Sequence, residues 1–119
     1  MAEGEARLRV DDDNGVVRVG FVDRNILDEG NILAIGDQIN GLIESREKPQ
    51  MLISFSNVDH LSSAALGTLI TINNNVKNRG GALRLADIDP QIYEVFVITR
   101  LNKIFDIYET SDEARKAFG

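Results

Sequence analysis

The chain's only histidine, His60, lies in the run Ser56-Asn57-Val58-Asp59-His60-Leu61-Ser62-Ser63, beside an aspartate and two serines. Serine, histidine and aspartate can act as nucleophile, base and orienting group, but only when the fold brings them into line. Adjacent positions of one loop rarely do so, and no G-x-S-x-G elbow is present to project a serine. His60 therefore reads as a partly exposed loop residue. With no second histidine and no cysteine, it is also a poor metal ligand. Asp11-Asp12-Asp13 lacks the spacing and distal glutamate of a calcium loop and reads as a solvated turn. These observations call for no catalytic residue, no metal and no cofactor.

The pair Ser62-Ser63 precedes a stretch of helical periodicity. One hydroxyl suffices to cap a helix, a contact worth roughly 1 kcal/mol, so the other serine is spare. A phosphate on Ser63 would sit at the positive helix end while adding nearly two negative charges to an exposed surface. Such a group can leave a fold intact and still turn a partner away.

The elements that position this loop follow from periodicity. Arg7-Leu8-Arg9-Val10 and Val16 to Val22 read as a hairpin turned at Asn14-Gly15. From Asp28 to Ser45, Ile32, Ile35, Ile39 and Leu42 recur at helical spacing. Met51-Leu52-Ile53-Ser54-Phe55 is a short, nearly continuous apolar run, expected of a central strand buried on both faces. A second helix is predicted from about Ser63 to Arg79, with Leu66, Leu69, Ile70 and Val76 inward and Gly80-Gly81 as its stop. Because Gly80-Gly81 follows a helix and precedes a strand, it is in the wrong order for a phosphate loop. A strand is expected at Ala82 to Ala86. Asp89-Pro90 opens a third helix burying Ile92, Val95 and Phe96. Ile104 to Tyr108 reads as a strand, and Ser111 as the cap of a last helix with Ala114, Ala117 and Phe118 inward. The order ββαβαβαβα predicts an α/β fold with a mostly parallel sheet of about five strands and about four helices. In such sheets function collects where strand carboxyl ends feed helix N-termini, which points to the turn after Phe55.

The 119 residues, 43% hydrophobic and 27% charged, suit one globular domain spanning 1–119. A net charge of −6 opposes non-specific attraction to nucleic acid or anionic lipid, so a charged partner is expected to be basic. The acidic N-terminus and the lack of a long apolar run predict no secretory signal, no membrane insertion and a cytoplasmic location.

Ser62-Ser63-Ala64-Ala65-Leu66-Gly67 falls in register with the Asp-Ser-Ser/Thr-Gly-Leu-Gly turn of the STAS-domain family of anti-sigma-factor antagonists. The chain resembles that family over nearly its whole length, the distance from Gly67 to Gly80-Gly81 included. Ser62 stands where the family has aspartate and Ala65 where it has glycine. Gly20-Phe21-Val22-Asp23 is similar to the family's Gly-Glu-Leu-Asp segment, which would bring Asp23 beside Ser63.

The resemblance implies the STAS fold and a non-enzymatic partner switch. The unphosphorylated domain would bind an anti-sigma factor that is also a serine protein kinase, and phosphorylation at Ser63 would release it. The implied surface comprises Asp23, Arg24, Asn25, Asp59, His60, Ser62 and Ser63, with Thr68 and Thr71 on the adjoining helix. Ser62 remains the alternative acceptor, and the domain is expected to be a monomer or weak dimer. The alternatives are a scaffold subunit of a signalling complex, a cytoplasmic partner of a membrane transporter and, from the enzyme class, a nucleotide-binding domain.

Overall fold

The computed structural model describes residues 8–13, 15–22, 25–26 and 29–118. The hairpin is β1 (Leu8–Asp13) paired antiparallel with β2 (Val16–Phe21), Leu8 opposite Phe21 and Asp13 opposite Val16. A two-residue strand β3 (Asn25–Ile26) precedes helix α1 (Glu29–Glu44), then β4 (Gln50–Ser54), a second two-residue strand β5 (His60–Leu61) and α2 (Ser63–Asn78). Next come β6 (Ala82–Ala86), α3 (Pro90–Ile98), a 3-10 turn (Leu101–Lys103), β7 (Asp106–Tyr108) and α4 (Ser111–Lys116). The main sheet has the order β1-β2-β4-β6-β7, parallel except at β1, and β4 is its central strand.

Alternation along the strands sorts side chains onto two faces. Val17, Val19 and Phe21 of β2, Met51 and Ile53 of β4, and Leu83 and Leu85 of β6 form rows that are buried beneath α1, α2 and α3. On the opposite face Val16, Leu52 and Ala86 pack against Ala114 of α4. Met51, Leu52 and Ile53 are thus buried on both sides, which is why β4 carries a continuous apolar run.

Three links fix α2 against its neighbours. Asn75 donates to Asn40 of α1 at 2.8 Å. The Arg79 guanidinium donates to the carbonyls of Glu44 and Arg46 at 3.2 and 2.7 Å, serving the end of a helix that has no base in its own last turn. Gly80 takes φ 74°, and a Cβ on Gly81 would lie 2.0 Å from the carbonyl oxygen of Pro49, so only glycine lets α2 turn straight into β6.

Several sequence expectations need correction. Asp11, Asp12 and Asp13 continue strand β1 instead of forming a turn, and Asn14 lies outside the described residues. The aspartates are tied down: Asp12 pairs with Arg46 at 2.9 Å, and Asp13 with Arg115 at 3.1 Å. Val95 is exposed, because Ile92 and Phe96 alone set the inward face of α3. Ile104 and Phe105 precede β7: Ile104 is exposed, while Phe105 is buried edge-on against Phe96. Thr110, not Ser111, caps α4, and Ala117 is exposed. Within α2, Asn73 is buried among the apolar residues, and its Nδ2 has no hydrogen-bond partner among the described residues. In α1, Ile43 is buried while Leu42 is only partly covered.

Candidate functional site

The carboxyl end of β4 leads through Phe55 into the loop that opens α2. Phe55 and Val58 are buried and the Val58 N–H donates to the Phe55 carbonyl at 3.0 Å, so the loop is pinned from below. From there the chain rises to β5, where Asn25 pairs with His60 and Ile26 with Leu61 in a parallel ladder. Two segments more than 30 residues apart are thereby held side by side, and the loop after the hairpin is brought to the foot of α2. The Asn57 amide donates toward the carbonyls of Phe21 and Val22 at 3.4 Å, a weaker tie between the same two segments.

At the foot of α2 the two serines have different tasks. Ser62 is the N-cap, with extended backbone (φ −85°, ψ 166°), and its hydroxyl accepts from the Ala65 N–H at 3.2 Å. The Leu66 N–H donates to the Ser62 carbonyl, closing the first turn. Ser63 is the first helical residue and is exposed, as is Ala64. Its hydroxyl has no capping task, and α2 has no acidic residue in its first turn to occupy the positive helix end.

Of the other expected site residues, His60 is exposed and Asp59 half-buried on the ladder side of the loop. Asn25 belongs to β3, whereas Asp23 and Arg24 lie outside the described residues. Thr68 is half-buried toward α1: a Cβ on Gly36 would stand 3.1 Å from its methyl group. Thr71, one turn on, is exposed and donates to the Gly67 carbonyl at 3.3 Å. Thr68 therefore does not share Thr71's open face.

Sequence reasoning missed a second polar knot at the same pole of the sheet. Asp87, just past β6, adopts φ 59°. Its carboxylate accepts from the Ser54 hydroxyl at 2.7 Å, from the Ser111 N–H at 3.1 Å and from the Ser111 hydroxyl. It joins the ends of β4 and β6 to the start of α4. The available signal was an aspartate directly after a strand, since Asp tolerates left-handed backbone better than most residues. No group of three His, Cys, Asp or Glu among the described residues could hold a metal ion, and no described helix is long and apolar enough to cross a membrane.

A hairpin-led parallel sheet with a serine-bearing helix start beside its second strand crossing defines a known class. The STAS-domain family model matches residues 7–114, and the chain belongs to that family. The anti-sigma F factor antagonist of Paenibacillus polymyxa is 23% identical over 77 residues, covering 65% of this chain and 66% of that protein. A protein of Thermotoga neapolitana, named as a candidate anti-sigma factor antagonist, is 32% identical over 65 residues, 55% of this chain and 58% of its own. The chain thus spans under two thirds of the length of these relatives. Among solved structures, the anti-sigma-factor antagonist (STAS) domain protein of Planctomyces limnophilus gives a TM-score of 0.84 at 22% identity, over 96% of this chain and 98% of that one. The phosphorylated form of SpoIIAA from Bacillus gives 0.71 at 15% identity, over 95% of this chain and all of that one, 100%. These structures share the fold.

Proposed function

We propose that this chain is an anti-sigma-factor antagonist working as a phosphorylation-controlled partner switch in the cytoplasm. In the unphosphorylated form it binds an anti-sigma factor of the serine-kinase type, and phosphorylation at Ser63 releases it. The domain does no chemistry of its own; the kinase supplies it. The observation that carries this reading is the division of labour at the foot of α2: Ser62 alone caps the helix, leaving the exposed Ser63 hydroxyl free of structural duty.

Phosphate at Ser63 would be tolerated by the fold, because it sits over a helix N-terminus without a carboxylate in its first turn. The docking surface would be the β3–β5 side of the pole, with Asn25 on one strand and Asp59, His60, Ser62 and Ser63 leading into α2, continued by Thr71; Asp23 and Arg24 are proposed to contribute to it. Two added charges at the centre of such a surface repel a partner shaped for a neutral hydroxyl, and moving it from mostly bound to mostly free takes several kcal/mol. Ser62 replaces the family aspartate without loss of the cap, since serine and aspartate are comparable N-caps.

The test is titration of the chain against an anti-sigma factor kinase of its own host, followed by calorimetry and by phosphate mapping after incubation with ATP. Native chain and Ser63→Ala should bind, Ser63→Asp and the phosphorylated chain should bind at least a hundredfold more weakly, and phosphate should map to Ser63. Equal binding by the phosphorylated and native forms, or phosphate on Ser62 alone, would sink the proposal.

A further inference from the structure

Strand β1 is an edge of the main sheet, and no described strand pairs with its outer side, so a row of its backbone N–H and C=O groups is left for another chain. Proteins guard such edges with charge, and β1 carries Arg9, Asp11, Asp12 and Asp13. Charge repels an incoming strand only where it meets its like, and the order here admits one visitor. Arg9 stands on one side of Val10 and Asp11 on the other. When a second β1 approaches antiparallel with Val10 opposite Val10, Arg9 of each copy faces Asp11 of the other, and one register forms two opposite-charge pairs at once. That self-complementarity is the requirement of a two-fold interface. A parallel approach in the same register would instead set Arg9 against Arg9 and Asp11 against Asp11.

The side chains are placed for these pairs. In the hairpin Arg9 lies opposite Gly20 and Asp11 opposite Arg18, and all four line one groove on the α4 side of the sheet, so Arg9 and Asp11 share a face. Directly opposite residues of an antiparallel pair also project to one face, as the two-fold arrangement demands. Both side chains are exposed, and among the described residues neither makes an ion pair. Arg18 reaches Asp13 at 3.8 Å and not Asp11, and Asp12, which would face Leu8 of the second copy, is already held by Arg46 at 2.9 Å. Val10, 39% exposed on the other face of β1, would lie at the axis and pack against its own copy.

We propose that β1 is a homodimer edge: two copies pair antiparallel about Val10, with Arg9 and Asp11 matched across the axis, and join their main sheets into one. The proposal is independent of any role for Ser63. A ladder of one six-residue strand on each side buries less than a standard interface, so the dissociation constant should be on the order of 100 μM.

Sedimentation velocity of the full chain, from micromolar up to about 1 mM, tests this, with circular dichroism as the check on folding. The native chain should pass from monomer to dimer. Arg9→Asp or Asp11→Arg alone turns both pairs repulsive and should weaken self-association about tenfold. An equimolar mixture of those two variants sets Asp against Arg in both pairs and should form a heterodimer as tight as the native dimer. The chain has no cysteine, so single cysteines report the register. Val10→Cys places two thiols about 5 Å apart by Cα across the axis and should cross-link under a thiol oxidant, whereas Asp12→Cys holds its two thiols about 13 Å apart along the ladder and should not. A native chain that stays monomeric throughout would overturn the proposal and leave the edge to a different protein. So would a dimer indifferent to Arg9→Asp, a mixture no tighter than either variant alone, or cross-linking as fast at Asp12→Cys as at Val10→Cys.

Discussion

Replacing the two serines at the foot of α2 should have different consequences for stability. Ser62 supplies the one side-chain acceptor of the first turn, 3.2 Å from the Ala65 N–H. Truncation to alanine orphans that donor and costs about 1 kcal/mol. With an unfolding entropy of roughly 2 cal/mol/K per residue over 119 residues, the melting temperature of Ser62→Ala should fall by about 4 °C. Its urea midpoint should drop by roughly 0.5 M at an ordinary denaturant slope. Ser62→Asp keeps the acceptor and should stay within about 0.5 kcal/mol of native. Ser63 is exposed and caps nothing, so Ser63→Ala should also stay within about 0.5 kcal/mol. Ser63→Asp adds a negative charge at the positive helix end and should gain about 0.3–1 kcal/mol, an effect that fades in high salt. Paired thermal and urea melts of the four variants decide the matter. If Ser63→Ala is as damaging as Ser62→Ala, or if Ser62→Ala is neutral, the assignment of cap and spare hydroxyl is wrong.

Gly81→Ala should lose at least about 3 kcal/mol or fail to fold, because its Cβ would collide with the Pro49 carbonyl, itself the acceptor for the Ala82 N–H; a soluble variant melting near native would contradict the contact. Asn73→Leu removes a buried amide nitrogen that has no partner among the described residues and should raise stability by about 1 kcal/mol in a urea melt. The Arg46 guanidinium, followed by the Gly15 N–H, holds the Asp12 carboxyl below its ordinary value of 3.8. A lowered folded-state value means that the contribution is complete above 3.8 and is lost as pH falls through the lowered value. Asp12→Asn should therefore be less stable than native at neutral pH, and the gap should close in acid; a gap that widens there would show the pairing to be unfavourable.

What the sequence determined by itself was local and periodic. The nearly continuous apolar run Met51 to Phe55, short and broken only by Ser54, pointed to a strand covered on both faces, and Asp89-Pro90 and Gly80-Gly81 mark helix boundaries through backbone constraints that hold wherever the helix lies. The serine pair declared a helix start in the same way. Tertiary structure decided which serine caps, because that depends on where the backbone becomes helical, a difference of one residue. It also decided that Val95 faces outward while Phe105 faces in, that Thr68 turns toward Gly36, and that Asn73 lies under apolar neighbours. On short helices, apolar residues occur on both the buried and the open side, and only the packed neighbours separate them. The β3–β5 ladder and the Ser54–Asp87–Ser111 knot join residues separated by 24 to 35 positions, with two or three residues on each side. No periodicity registers over so few residues; the sheet order brings them together once the longer strands have paired.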